Sequence, residues 1–281
     1  MKLKLSFLLC GSTIAFLLAG LPLTTGCTEG GEKRDSVTFA VDSLAVTSPF
    51  KKSNGELCRQ QVNIKINYPK RYRDAKSLQR LQALYAKLLL DAPDSLAASL
   101  PAAMSGLARA LTMSDAATEQ DITAIEEWDV VDVDSLTVNV LVTPVFNSHD
   151  IVSLCKQEIM MKNGRETSRI HRYFNIDLEA MARVEVNRLF KDVCVEDVCK
   201  LLRAQLLKQN HVAQEEQLNE LGYYNLPNIS VTDNFYFTPE GLVWSYEPGT
   251  LAVATVGEPT IALPYGDLAP YLLDNSILKR F

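Results

Sequence analysis

Two cleanly alternating segments with helix-spaced sequence between them constrain the fold of this chain more than any other feature. Val62, Ile64, Ile66 and Tyr68 alternate with Asn63, Lys65 and Asn67, and Leu136, Val138, Val140 and Val142 alternate with Thr137, Asn139 and Thr143. Each set is a strand with one buried face. Pro69 ends the first strand, because proline cannot donate to a sheet ladder. Between them Leu78, Leu81, Tyr85 and Leu88 recur at helical spacing, as do Met104, Leu107, Ala108 and Leu111, with Pro101 near that helix's first turn. A weaker helical stretch runs from Ala116 to Trp128.

The pattern continues with β sequence. Ser36–Val46 is strand-like, and Ile151–Met161 and Ser168–Leu178 flank Asn163-Gly164, a strong hairpin signal. Within the second arm Ile170, Phe174, Ile176 and Leu178 share one face, and Arg169, His171, Tyr173, Asn175 and Asp177 share the other. Val195, Val198, Cys199, Leu202 and Leu206 mark an amphipathic helix that breaks near Asn210-His211. Asn234–Thr238 and Leu242–Glu247 flank a Pro239-Glu240-Gly241 turn, and Thr260–Leu263 adds a strand before a helical turn at Leu268–Leu273. Strand, helices, strands, helix, strands is an α+β order, without the regular alternation of a doubly wound sheet. The expected architecture is antiparallel sheets with helices packed on one side, in two small intertwined domains at 35–164 and 165–281.

The first residues carry an address. Lys2 and Lys4 precede a mostly apolar run from Leu5 to Leu23, then Thr24-Thr25-Gly26-Cys27 leads into polar sequence. A basic start, an apolar middle and small residues before a polar shift make an export signal. Gly26-Cys27 resembles a bacterial lipobox, in which Cys27 becomes the lipidated first residue. Thr24 stands where such boxes usually carry leucine, with Leu23 one step further out. Residues 1–26 are thus read as a lipoprotein signal peptide and 27–34 as a tether. Ordinary secretion and an uncleaved anchor helix are the other readings. All three place the body outside the cytoplasm, in the cell envelope on the outer-membrane or periplasmic side. Loss of Lys2 and Lys4 takes the formal charge from −6 to −8, so lipid rather than charge would hold the chain to a membrane. The same acidity argues against nucleic acid as a partner.

Four cysteines remain in the body: Cys58, Cys155, Cys194 and Cys199. They allow three disulfide pairings. A Cys58–Cys155 bond across strands is one expectation. A Cys194–Cys199 bond is feasible with Cys194 in the turn before the helix, but not with both inside it. The alternative is small buried thiols. No C-x-x-C pair supports a zinc site, and no cofactor or metal is expected.

Motifs for chemistry are sparse. No phosphate-binding glycine loop, H-E-x-x-H or G-x-S-x-G occurs. The three histidines are His149, His171 and His211. His149-Asp150 reads as a solvated turn, with a base–orienter pair as the rival. Asp129, Asp132 and Asp134 read as an acidic edge rather than a cation site, since EF-hand spacing is missing. Glu126 and Glu127 are adjacent and do not face each other on a helix. The face with Arg169, His171 and Tyr173 is either the wet side of a sheet or a polar ligand surface. Phe235 and Phe237 alternate toward a core, while Tyr236, Trp244 and Tyr246 are either core or an aromatic platform.

The tail carries a resemblance. Asn234-Phe235-Tyr236-Phe237, Gly241-Leu242-Val243-Trp244-Ser245-Tyr246 and Ile261-Ala262-Leu263-Pro264-Tyr265-Gly266-Asp267-Leu268 resemble the domain of unknown function that ends RsiV-like anti-sigma factors, which sense lysozyme. Tyr173–Leu178 and Leu189-Phe190 fit its start, and Ile122–Met161 is similar to the partner domain shared with PdaC-type peptidoglycan deacetylases. Asn163-Gly164-Arg165-Glu166-Thr167 replaces the His-containing turn often found there. The resemblance does not bring in an enzyme, since deacetylase activity belongs to a separate domain, nor full signalling, which needs a sigma-binding segment and a spanning helix. It implies a non-catalytic envelope lipoprotein that binds a lysozyme-like protein (a muramidase) or peptidoglycan. The candidate ligand face is Arg169, His171, Tyr173, Tyr236, Trp244 and Tyr246. An envelope glycan hydrolase or deacetylase-associated enzyme using Asp/Glu and His171, or a structural envelope partner, are the alternatives.

Overall fold

The computed structural model describes residues 36–51, 54–112 and 134–281. The signal segment, Cys27, the tether, the weak helix at 116–128 and Asp129 and Asp132 lie outside them. The first elements are β1 (Thr38–Lys51), β2 (Leu57–Arg71), α1 (Ala75–Leu89), α2 (Asp94–Ala97) and α3 (Leu100–Leu111). Then come β3 (Ser135–Ser148), β4 (Ile151–Lys162), β5 (Arg165–Asp177) and β6 (Ala182–Arg183). These six strands form one sheet in sequence order. All neighbours are antiparallel except β2 and β3, which run parallel. A parallel pair needs a crossover rather than a hairpin, and α1–α3 lie in the stretch that connects them.

Alternation does the sorting expected of it. Val62, Ile64 and Ile66 of β2 and Val138, Val140 and Val142 of β3 point to the same face, where they pack with Leu81, Tyr85 and Leu89 of α1 and Met104 and Leu107 of α3. Local chemistry starts these helices: the Asp74 carboxylate accepts the Lys76 and Ser77 backbone N–H groups at 2.8 and 2.9 Å. Asn163 and Gly164 both adopt positive φ in the two-residue β4–β5 turn, as such hairpins require. The boundary expected between 164 and 165 falls in this hairpin, so β5 belongs to the six-stranded sheet while its outer face supports the C-terminal core.

That second core forms around α4 (Val195–Gln209), α5 (Glu215–Glu220), a three-stranded sheet of β7 (Phe235–Phe237), β8 (Gly241–Ser245) and β9 (Thr260–Pro264), and the short α6 (Tyr265–Leu268). Val198, Leu202 and Leu206 of α4 meet Phe235, Phe237, Trp244, Ile261 and Leu263 there, and Phe146 and Ile151 from the β3–β4 end join the same cluster. Only glycine fits at 241, because a Cβ would lie 2.1 Å from the Leu263 carbonyl oxygen. Residues 34–281 make one compact unit with its own two cores.

The disulfide expectations are corrected. Cys58 lies beside Arg59, which pairs with Ser135, whereas Cys155 pairs with Thr143 across the intervening β3. Nine residues of strand separate the two levels, about 30 Å, against the ~7 Å limit for a disulfide. Cys194 caps α4 in a helical conformation and Cys199 is buried in its second turn; both are thiols, since the helical rise keeps a five-residue offset too long to bridge.

β7 rests on β4 and β5 through side chains. The Asn175 amide donates to the Phe235 carbonyl at 2.7 Å and its oxygen accepts the Ser153 hydroxyl at 2.6 Å, which in turn accepts the Phe237 N–H at 3.1 Å. Asn175 is 1% exposed. Asn175→Val is therefore expected to lower unfolding stability by about 2–3 kcal/mol, because it strands two buried polar partners. Urea titration of the purified unit checks this.

Candidate functional site

Two places collect polar side chains against structure. One is the seam where the outer face of β5 meets the C-terminal core. Cross-strand pairing sets Cys155 beside Tyr173, Gln157 beside His171 and Ile159 beside Arg169. The His171 ring bonds the Gln157 amide through Nε2 at 2.6 Å and the Glu258 carboxylate through Nδ1. Glu258 also accepts the Ser245 hydroxyl at 2.9 Å. A nucleophilic triad places the hydroxyl on the imidazole and the carboxylate behind it; here the hydroxyl lies on the carboxylate. Asn234 adds a clamp, accepting the Tyr173 N–H at 2.8 Å and donating to the His171 and Ser245 carbonyls at 3.2 and 3.0 Å. The arrangement ties β5 to β8.

The structure thus splits the sequence-derived face. Arg169, His171, Tyr173 and Tyr236 share one side, with the Tyr173 and Tyr236 rings stacked at 4.5 Å. Arg169 is taken up by Glu166 through two bonds of 2.9 and 2.6 Å. Trp244 and Tyr246 leave the set. Trp244 is 0% exposed because β8 is the central strand of its sheet and alternation turns that position inward, against Phe190 and Phe235. Tyr246 is buried with its hydroxyl on the Ser230 carbonyl at 3.0 Å. Both readings of His149-Asp150 are corrected: the turn is not solvated, since Asp150 is 5% exposed, and the two side chains do not act as base and orienter. Both residues have positive φ in the β3–β4 turn, and Asp150 bonds Arg73 at 3.2 Å while the His149 ring stacks near Phe146 and Phe281.

Burial governs titration along the seam. It pushes the Cys155 thiol from 9.0 up to about 11; the Tyr173 hydroxyl offsets part of this and the Glu258 charge adds to it. Burial also raises Tyr173, with the Cys155 charge next, and it raises Tyr236 in the same way.

The second place is a groove of about 590 Å³ between the helical layer and the inner face of β4 and β5. Its floor is aliphatic: Pro93, Leu96, Ala110 and Leu111 reach the surface there, above Leu90, Ala103 and Leu107 of the buried core. Its sides hold Lys156, Arg172 and Arg109 with Asp91 and Glu158. The Lys156 side chain is only 4% exposed and its Nζ lies 3.1 Å from both Asp91 and Glu158. Asp91 reaches it from a left-handed backbone, φ 51°, a conformation that costs energy for a residue other than glycine. Arg172 sits 4.0 Å from Glu158 and 3.9 Å from Glu247, too long for direct hydrogen bonds. Arg109 spends only its Nε–H, on the Ser105 carbonyl at 3.3 Å. Sequence reasoning missed this groove, yet a signal was there: Lys156 and Glu158 occupy the same strand parity as Val152 and Leu154. Among the described residues no cluster of three or more His, Cys, Asp or Glu side chains is placed to hold a metal, and no helix is long and apolar enough to cross a membrane.

Comparison with known proteins bears on the C-terminal core first. A family model described as "Protein of unknown function (DUF3298)" matches residues 187–266. A solved DUF3298-family protein from Bacteroides fragilis superposes with a TM-score of 0.68 at 17% identity, covering 88% of this chain and 98% of that one. A DUF3298-family protein from Pseudomonas aeruginosa superposes with a TM-score of 0.51 at 14% identity, covering 85% of this chain and 96% of that one. At such identities the likeness is one of fold. No curated protein matches the sequence.

Two outcomes are expected here. Trp244→Ala should cost about 3–5 kcal/mol in calorimetric unfolding, as a fully buried aromatic truncation does, which makes it a stability variant rather than a ligand variant. The Cys155 thiol favours the folded state only while protonated. That contribution is complete below about pH 9 and is lost as pH rises from about 9 to about 11. The stability difference between wild type and Cys155→Ala should shrink across that window in urea titrations at stepped pH.

Proposed function

We propose that this chain is a non-catalytic binding module of the cell envelope that receives its ligand in the groove between α2, α3 and the inner face of β4 and β5. The observation that carries this reading is the groove itself, an aliphatic floor lined by Arg109 on the helical side and by Lys156 and Arg172 on the strands. Binding sites are concave, mostly apolar and furnished with a few convergent polar groups. A net charge of −6 on the whole chain makes a cationic lining a local feature rather than an average one. The leader at 1–26 and lipidation at Cys27 would carry the module out of the cytoplasm and hold it at a membrane. The RsiV-like resemblance of the tail and the PdaC-like resemblance of Ile122–Met161 add a muramidase or peptidoglycan as partners on the same footing.

The test uses residues 34–281, which carry both cores, with muramidase and purified peptidoglycan as probes. Ala110→Trp plugs the groove from an exposed position of α3. The glycan is expected to emerge chemically unchanged, and a retained probe should bind about tenfold more weakly to Ala110→Trp. Cleaved or deacetylated glycan would overturn the non-catalytic reading in favour of a hydrolase at the His171 seam. Retention indifferent to Ala110→Trp but lost in His171→Ala would move the site to the outer face of β5.

A further inference from the structure

The groove's lining narrows what can enter it. Every polar residue on its sides is charged: Asp91, Arg109, Lys156, Glu158 and Arg172. Every other lining position is aliphatic or glycine, with no aromatic ring, hydroxyl or amide side chain among them. The lining has no ring face on which a sugar could stack. It offers contact for methylene groups and charge for one end of a ligand.

The charges also select a valence. Lys156 is already held by Asp91 and Glu158 at 3.1 Å each, so it fixes the wall rather than serving as an open donor. Arg172 keeps no contact shorter than 3.9 Å to a carboxylate, and Arg109 has no carboxylate partner among the described residues and bonds only through Nε. Three cations against two carboxylates leave one positive charge on the lining, with Glu247 facing Arg172 from outside it at 3.9 Å. That suits a monoanion, while the two fixed carboxylates repel a dianion more strongly than a monoanion. Arg109 and Arg172 both line the groove, and a planar carboxylate is the group that guanidinium forks are built to take.

We infer that the groove binds a single-chain fatty carboxylate, with its head on Arg109 and Arg172 and its chain along Pro93, Leu96, Ala110 and Leu111. This rests on the reading of the chain as a binding module with its site in the groove. It adds the ligand class.

Isothermal titration calorimetry of residues 34–281 with dodecanoate, dodecanol and dodecyl phosphate, each below its micellar concentration, tests the inference. Dodecanoate is expected to bind saturably, one per chain. Dodecanol should bind about tenfold more weakly for want of charge-assisted hydrogen bonds. Arg109→Glu, at an exposed helix position, should weaken dodecanoate about tenfold or more and leave dodecanol unaffected. Ala110→Trp should remove both. Equal binding of dodecanol and dodecanoate, or tighter binding of dodecyl phosphate, would overturn the head-group assignment. Failure of dodecanoate to bind, with groove-dependent retention of muramidase or peptidoglycan intact, would overturn this inference and leave the binding-module reading standing. Loss of both would remove the two together.

Discussion

An edge strand buried against another sheet must have its open backbone groups satisfied, and the fold is arranged around meeting that condition at β7. One side of β7 pairs with β8. Its other side faces the six-stranded sheet, where no strand continues the ladder. Asn175 and Ser153 substitute for one, taking the Phe235 carbonyl and the Phe237 N–H into a chain of short hydrogen bonds. An unmet pair of this kind would cost on the order of 2–6 kcal/mol, comparable to much of a domain's net stability. The C-terminal core is thus fixed to the first by named side chains on β4 and β5 as well as by apolar contact.

The same two strands serve both cores because their parities are divided. Val152, Leu154, Phe174 and Ile176 face the helices, while Ile151, Ser153, Tyr173 and Asn175 face the second core. Toward the other end of each strand the helical cover thins, and the inward parity turns charged at Lys156, Glu158 and Arg172. The groove is the place where the apolar layer stops and the sheet has not yet reached solvent. A lysine 4% exposed there is tolerated only because two carboxylates reach it. One of them comes from the left-handed Asp91 at the end of α1. A left-handed residue after the last turn is a common way to end a helix, and here it also turns the Asp91 carboxylate toward Lys156.

Much of this was legible in the sequence. The alternation at 62–68 and 136–142 and the Asn163-Gly164 turn gave strands, faces and a hairpin that the register reproduces. What alternation cannot state is which layer covers a face. Asn175 and Tyr173 sit at the parity of a wet surface, yet the C-terminal core lies on them. Trp244 reads equally well as platform or core until β8 is seen to be a central strand. Cys58 and Cys155 both sit in strands of one sheet, but only register reveals that they stand at opposite ends of it. Lys156 was the signal passed over, since a charge at an apolar parity marks either a pair or a site, and here it marks both.

The family match and the groove occupy different parts of the chain. The matched segment, 187–266, contains α4 and the whole three-stranded sheet, and it supplies Asn234, Ser245 and Glu258 to the seam. The groove is built from residues 90–111, 156, 158 and 172, all outside that segment. The likeness in fold to the Bacteroides fragilis protein extends across most of the chain and so includes the helical layer as architecture. Fold does not carry function with it, because function resides in the chemistry of particular side chains mounted on the fold. In this molecule the C-terminal core supplies the anchor for β5, and the helical layer supplies the aliphatic floor and Arg109. Arg109, Ala110 and Arg172, among the more exposed members of the groove lining, can therefore be exchanged without disturbing either core, whereas Leu90, Ala103 and Leu107 beneath them cannot.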